Sequence, residues 1–301
     1  MSSSPDPVIW DLWHPVASLR DLQRNGREQT LLLDQKIVVG VGQDGAPEAY
    51  RTNREMPINE PWVGEEPLPV KQHLGFLWTS LGSPTDEIFS IPEAEETDRT
   101  NVHAATVGVA CSAPRAIENF LDIAHFPYVH TDILGVEPHT EVVDYDVDYE
   151  NGEIWTRNVF YYQPQAAVQQ SGGVLAHYWY RVPHPYVAVL YKASGAESER
   201  MDIVIALLVQ AMTETSSRVR MFNSNLDDQS STTQIRHWNN EIFGQDKPII
   251  ENQHPKRLPL DPRVETPIRA DKLAIAYRRW LSDLGVTYGV IPSQHSSFGA
   301  A

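Results

Sequence analysis

Glu118-Asn119-Phe120-Leu121-Asp122-Ile123-Ala124-His125-Phe126-Pro127-Tyr128-Val129-His130 is the segment that decides how the chain is read. It lies where an amphipathic helix should end. Ser112 fits an N-cap and Pro114 a first helical turn, where a missing N–H costs nothing. Ile117, Leu121 and Ala124 give the helix one apolar stripe, and Pro127 is expected to stop it. Asp122 and His125 then stand one turn apart on a shared face, with Glu118 a turn earlier. On an unbroken helix His125 and His130 would point about 140° apart. A break at Pro127 lets His130 swing back beside His125, and only then do the two rings suit one metal ion.

Two histidines alone are a weak signal, because histidine often ends a helix by bonding its last carbonyls. A third ligand is sought further on, in Ile242-Phe-Gly-Gln-Asp246-Lys-Pro-Ile-Ile-Glu251. Ile235, Trp238, Ile242 and Phe243 recur at helical spacing, which predicts a helix over about 231–253 disturbed by Pro248. Asp246 falls on it, beside Gly244, where close approach is expected. A site of two histidines and one carboxylate with open positions suits non-haem Fe(II) and oxygen chemistry. The plain alternative is that Asp246 is a solvated helix acid, as Asp227 and Asp228 are expected to be.

Outward from this segment the fold reads as α+β. The first hundred residues carry short apolar runs at Leu31–Leu33, Ile37–Val41, Leu68–Val70 and Gly75–Leu81, separated by turn signals at Gln43-Asp44-Gly45 and Gly82-Ser83-Pro84. They predict a small β domain over residues 1–98, closed by the acidic connector Glu93–Asp98. From Glu141 to Leu226 alternating runs (Val142/Val143, Trp155, Val159–Tyr162, Ala176–Tyr180, Tyr186–Tyr191, Ile203–Met212, Val219–Phe222) predict six or more antiparallel strands. Thr266, Pro267, Leu273, Tyr277, Trp280, Leu281 and Gly285 outline a last helix. A second domain is therefore expected over 99–290, with a loose tail at 291–301.

Composition narrows the partners. Among 301 residues, 40 acidic side chains against 24 basic ones give a net charge of −16. That field disfavours nucleic acid and anionic membrane. The longest apolar run, near Ile203–Val209, is far below the roughly 20 residues that span a bilayer. The N-terminus has neither the basic nor the apolar region of a signal peptide, and the single cysteine, Cys111, excludes an intramolecular disulfide. A soluble cytoplasmic protein is expected, with Cys111 a small buried hydrophobe.

Taken jointly, Glu-Asn-x-x-Asp-x-x-His-x-x-x-x-His and the later Phe-Gly-Gln-Asp-x-x-x-x-Glu resemble the catalytic domain of Rieske-type non-haem iron oxygenases, over about residues 8–290. The resemblance implies a helix-grip (START-like) domain with a curved antiparallel sheet, one Fe(II) per chain, and His125, His130 and Asp246 as its ligands. It implies that Asp122 orients His125 and bridges to the electron donor, with Asn119 beside it. A Rieske centre needs Cys-x-His and Cys-x-x-His loops. Trp13-His-Pro-Val-Ala and Leu68–Gly82 resemble the flanks of that domain, yet Gly45–Pro67 between them holds no cysteine or histidine. No [2Fe-2S] cluster is therefore expected in this chain, and the β domain reads as a degenerate Rieske-like remnant.

Cluster-less catalytic subunits that demethylate methylxanthines are similar over Glu118–Glu137, Ile242–Asp246 and Pro255–Leu281. They imply O2-dependent hydroxylation of an N-methyl group on a purine-like heterocycle, with release of formaldehyde. Electrons would come from a separate Rieske-containing NAD(P)H reductase, within a trimer or hetero-complex that could include a structural subunit. Three alternatives stay open: a non-catalytic ligand-binding or structural subunit, an oxygenase of another aromatic substrate, and a Zn²⁺ hydrolase using the same triad. His14, His73, His103 and His254 have no ligand-like companions. Tyr161, Tyr162, Tyr178 and Tyr180 read first as core; some of them, with Val187, Val189, Leu207 and Phe222, could line a pocket over the metal.

Overall fold

The computed structural model of the protein describes residues 6–42, 44–55, 66–85, 87–170, 172–193, 200–226 and 229–293. Gln43 of the first turn signal, Asp227, Asp228, part of the Gly45–Pro67 span and the tail from 294 lie outside the described residues.

A one-turn helix, α1 (Pro7–Trp10), is capped by Asp6, whose carboxylate accepts from the amides of Val8 and Ile9. After it come β1 (His14–Ser18), α2 (Leu19–Asn25), β2 (Arg27–Leu32), β3 (Gln35–Val41), β4 (Pro47–Arg51), β5 (Glu66–Pro67), β6 (Val70–His73) and β7 (Phe76–Thr79). They form two antiparallel sheets ordered β1-β7-β6 and β2-β3-β4-β5. The main sheet is antiparallel, curved and seven-stranded. Its strands are β8 (Thr100–Val109), β9 (Asp146–Glu150), β10 (Glu153–Gln163), β11 (Val174–His184), β12 (Val187–Ala193), β13 (Ile203–Thr213) and β14 (Ser216–Asn225), ordered β8-β14-β13-β12-β11-β10-β9. The helices α3 (Ala113–Leu121), α4 (Phe126–Val129), α5 (Thr232–Asn252) and α6 (Lys272–Leu284) complete an α+β fold, with a short parallel pair of β15 (Leu258–Pro259) and β16 (Val290–Ile291).

The central strands are apolar nearly throughout because both faces of the sheet are covered. Val187, Val189, Val204, Ala206, Leu208 and Phe222 turn to one side, against Trp13, Phe76 and Trp78 of the N-terminal sheet. Ala188, Leu190, Leu207, Val209 and Met221 turn to the other, where Ile117 and Leu121 of α3, Phe243 of α5 and Tyr277 of α6 close the core. Polar staples join the N-terminal sheets to the main one. Buried Arg220 on β14 donates to the carbonyls of Pro15 (3.2 Å) and Val16 (2.5 Å), and Gln210 on β13 donates to Leu31 O at 2.7 Å.

Several expectations are corrected. Val142 and Val143 are not in a strand; Val143 is exposed, and β9 begins at Asp146. The strand β8 lies where no strand was read, paired with β14 along its length. The last helix starts at Lys272 rather than after Thr266: Glu265 is tied by ion pairs to Arg115 and Arg278, and a single 3-10 turn, Arg269–Asp271, leads into the helix. Its end at Gly285, with φ of 80°, is the left-handed cap expected of glycine. Ser231 and Gln234 cap α5 reciprocally, and the helix passes through Pro248 to Asn252. Among the described residues no helix is long and apolar enough to cross a membrane.

Candidate metal centre

The helix break falls earlier than the sequence suggested. α3 ends at Leu121, and Asp122 takes an extended backbone (φ −83°, ψ 132°) while its Oδ1 accepts from Ala124 N at 2.9 Å, closing a side-chain turn. Pro127 does not stop a helix. It occupies the first turn of α4, where no N–H is required. Asp122 and His125 are thus joined across a turn rather than along a helix face. His125 and His130 flank the single turn of α4 as its N-cap and C-cap. The chain then folds back so tightly that a Cβ on Gly135 would stand 2.6 Å from Pro127 N and 2.8 Å from Phe126 C. Glycine there lets the backbones touch.

This geometry brings the three expected ligands together. His125 Nε2 and His130 Nε2 are 3.2 Å apart, and Asp246 Oδ1 lies 3.3 Å from the first and 3.1 Å from the second. Each ring is fixed from behind. His125 Nδ1 meets Asp122 Oδ2 at 3.0 Å, and His130 Nδ1 meets Gln245 Oε1 at 2.8 Å. Both partners are acceptors, so each Nδ1 carries a proton, and each Nε2 can present its lone pair inward once a metal ion displaces any proton there. Two lone pairs and a carboxylate oxygen therefore converge, and buried Asp246 Oδ1 has no hydrogen-bond donor.

Such a cluster of acceptors favours a positive charge at its centre. Burial disfavours a charged His125, but the carboxylates of Asp122 and Asp246 outweigh it and push its pKa up to about 9. Burial likewise works to raise the Asp246 carboxyl, and the two imidazoles prevail, holding it at about 2. A proton can supply one charge; a divalent cation supplies two and can reach all three atoms. With bonds of about 2.1 Å, right angles give ligand separations of about 3.0 Å and tetrahedral angles about 3.4 Å. The three observed edges lie within that span. The residues fit a first-row metal ion, and the N,N,O set is the one that suits non-haem Fe(II).

The triad opens on a mostly apolar cavity of about 100 Å³, walled by Phe120, Leu134, Tyr178, Ile205, Trp238 and Phe243 among others. At roughly 10–15 Å³ per water, that volume suits a small planar ring. Tyr178 and Tyr180 face it, but Val187, Val189 and Phe222 belong to the opposite face of the sheet, and Leu207 packs in the core. The side chains at that wall are instead Leu190, Lys192, Ile203, Ile205 and Met221. Asn119 borders both this cavity and a polar cleft outside, which Asp122 also lines. Asp122 therefore touches His125 on one side and a solvent-facing groove on the other.

Glu118 lies away from the histidines. It is buried in an ion-pair network with Arg115 and Arg278, which Glu265 completes. Gly244 meets open space where a Cβ would be, so the close approach expected there is absent. Sequence reasoning passed over Gln245, although it adjoins Asp246 and a ligand histidine commonly has an acceptor behind it. It also missed Lys192, Asn223 and Asn225, whose facing depends on strand register.

Residues 109–286 match the family described as Vanillate O-demethylase oxygenase C-terminal domain. The chain is 41% identical over 283 residues to a probable methylxanthine N7-demethylase, NdmC, of Pseudomonas sp. (strain TJI-51), covering 93% of this chain and 96% of that protein. Over 216 residues it is 26% identical to methylxanthine N1-demethylase NdmA of Pseudomonas putida, covering 71% and 59% respectively. A structure of Pseudomonas putida CBB5 NdmA with caffeine superposes with a TM-score of 0.72 at 20% identity, over 91% of this chain and 90% of that one. Matched over more than half its length, with a triad that fits the family's metal, the chain belongs to the Rieske-type oxygenases that share the vanillate O-demethylase oxygenase C-terminal domain.

Proposed function

We propose that the protein is the catalytic subunit of a mononuclear iron N-demethylase acting on a small methylated heterocycle of the methylxanthine type. The observation that carries this reading is the triangle of His125, His130 and Asp246, with inward lone pairs and an unpartnered carboxylate oxygen, opening on an apolar cavity. The methylxanthine class is supported by the names of the relatives, NdmC and NdmA.

His125, His130 and Asp246 would hold Fe(II), which when bound supplies O2-dependent hydroxylation of the methyl carbon. The protein's own residues do the rest. Asp122 and Gln245 fix the ring tautomers, and Phe126 packs edge-on to His125 at 5.0 Å, restricting ring rotation. The apolar walls exclude water and hold a flat ring beside the metal. One cysteine cannot ligate a Rieske cluster, so electrons would enter from a separate Rieske-containing NAD(P)H reductase. The polar cleft against Asp122 is the natural point of entry, within a trimer or hetero-complex. Residues 1–98 would be a remnant of the lost cluster domain, and 99–290 the catalytic domain.

Metal analysis and turnover test this together. The purified chain should carry about one iron, lost in His130→Ala and Asp246→Ala. Formaldehyde release from a methylxanthine should need O2, NADH and a Rieske-containing reductase. Hydrolytic turnover without O2, or full iron content in Asp246→Ala, would refute the reading.

A further inference from the structure

One end of the cavity is polar, and Asn223 Oδ1 and Asn225 Nδ2 there have no hydrogen-bond partner. Lys192 on β12 is in register with Ile203 on β13, and Ile203 with Asn225 on β14; the next row is Leu190, Ile205 and Asn223. All six line the cavity. Neighbouring strands lie about 4.8 Å apart, so Lys192 and Asn225 rise on either side of an apolar floor, with Asn223 two residues from Asn225 on the same face. All three are at least nine-tenths buried, with exposures of 5%, 4% and 2% for Lys192, Asn225 and Asn223.

The orientation of Asn223 is fixed by what lies behind it. Asn239 Nδ2 donates to Ile235 O at 2.8 Å; that carbonyl can only accept, so Asn239 presents its Oδ1 to Asn223 Nδ2 at 3.2 Å. Asn223 Oδ1 is thereby turned away, and it is buried with no donor. Asn225 Nδ2 is buried with no acceptor. Lys192 Nζ donates to Ala166 O, and that bond engages one of its three N–H groups. The cavity thus offers one acceptor and two donors that the protein itself leaves unmet, and buried polar groups in that state call for a ligand.

We infer that Lys192, Asn223 and Asn225 read the unmethylated imide edge, C(=O)–NH–C(=O), of a heterocyclic substrate. Asn223 Oδ1 accepts from the ring N–H, while Lys192 Nζ and Asn225 Nδ2 donate to the flanking carbonyl oxygens. This rests on the reading of the cavity as the substrate site and names the chemistry it selects. A methyl on the imide nitrogen removes the donor and sets carbon against Asn223 Oδ1. Sites built to hydrogen-bond a ligand reject analogues lacking the group far more strongly than apolar pockets reject an extra methylene.

Binding can be measured without turnover, by quenching of tryptophan fluorescence, since Trp238 lines the cavity. The probes are 3,7-dimethylxanthine, with its imide N–H free, and caffeine, which differs by one methyl at that nitrogen. The wild-type chain should bind the first at least 50-fold more tightly. Asn223→Leu should bring the ratio below threefold while still binding caffeine, which shows that its cavity is intact. Lys192→Met and Asn225→Leu should each weaken the dimethylxanthine at least tenfold. Equal binding by wild type, a preference retained in Asn223→Leu, or loss of both ligands in that variant overturns the inference. A second pair, 1-methyluracil and 1,3-dimethyluracil, separates the two claims. If only the uracils bind, with a preference that Asn223→Leu erases, the imide reading stands and the methylxanthine assignment falls. If neither pair shows a preference in wild type, the imide reading falls whatever the turnover.

Discussion

Replacing Lys192 by methionine should make the metal-free protein more stable at low pH, by an amount that shrinks as pH rises. The side chain is buried among apolar walls, and burial pushes its pKa down to about 7, with the charge of Asp202 acting weakly the other way. Unfolded, it titrates near the ordinary lysine value of 10.5. Between about pH 7 and 10.5 the unfolded chain binds a proton that the folded chain has released, so wild-type stability rises with pH across that window. Below pH 7 both states are protonated and the whole cost of burying the charge is felt. At about 1.4 kcal/mol per pKa unit, that cost is about 5 kcal/mol at pH 6 and falls to about 2 kcal/mol at pH 9. Methionine is of similar length and abolishes the cost, but it leaves Ala166 O without its donor, a loss of about 1–3 kcal/mol at any pH. The variant should therefore exceed wild type by about 2–4 kcal/mol at pH 6 and match it within about 1 kcal/mol at pH 9. Urea unfolding at pH 6, 7.5 and 9 measures this directly. A difference that does not change with pH, or a variant less stable at pH 6, would refute the argument. The expected gain in stability comes with weaker ligand binding, which is the pattern of a residue kept for function against the interest of the fold.

Asp122→Asn keeps an acceptor for His125 Nδ1 but removes the charge at the outer cleft; iron content should stay near one per chain while NADH-coupled formaldehyde release falls at least tenfold, and full activity would rule out a bridging role. Gly135→Ala places a Cβ 2.6 Å from Pro127 N, so α4 must shift; iron affinity should drop at least tenfold and thermal unfolding should begin several degrees lower, read by metal titration and calorimetry. Glu118→Ala leaves two buried guanidinium groups sharing Glu265 alone and should lower stability by about 3–5 kcal/mol in urea; a loss below 1 kcal/mol would mean that the network is dispensable.

The three residues of the candidate site could be picked out because their spacing carries a constraint. His125 and His130 can meet only across a chain break, and Asp246 follows an aromatic helix face that must pack inward. The position of the break was misread because proline serves as well at the start of a helix as after its end. What decides the matter is the carboxylate of Asp122, which captures Ala124 N and ends α3 five residues earlier. The polar end of the cavity was not legible at all. On β12, β13 and β14 both faces are buried, so apolar and polar residues do not alternate in a way that reveals facing. A one-residue shift exchanges Leu190 with Val189, and Asn223 with Phe222, across the sheet. The start of α5 was legible from the helical spacing of Ile235, Trp238, Ile242 and Phe243, and the reciprocal cap of Ser231 and Gln234 fixes it locally. Val142 and Val143 misled because two adjacent β-branched residues meet the strand preference without any partner to pair with.

The lone cysteine and the N-terminal sheets have separate explanations. Cys111 is fully buried, and burial pushes its thiol up to about 11, so it is an inert packing group rather than a relic of redox chemistry. The sheets of β1–β7 have a packing role. Trp13, Phe76 and Trp78 pack against one face of β12 and β13, and Arg220 and Gln210 on the main sheet find their acceptors in β1 and β2. Losing these sheets would expose Val187, Val189, Val204, Ala206, Leu208 and Phe222 to water. At about 1.5–3 kcal/mol for each large apolar side chain, that exposure is comparable to the whole marginal stability of an ordinary domain. The N-terminal sheets are thus accounted for by the cover they give the main sheet.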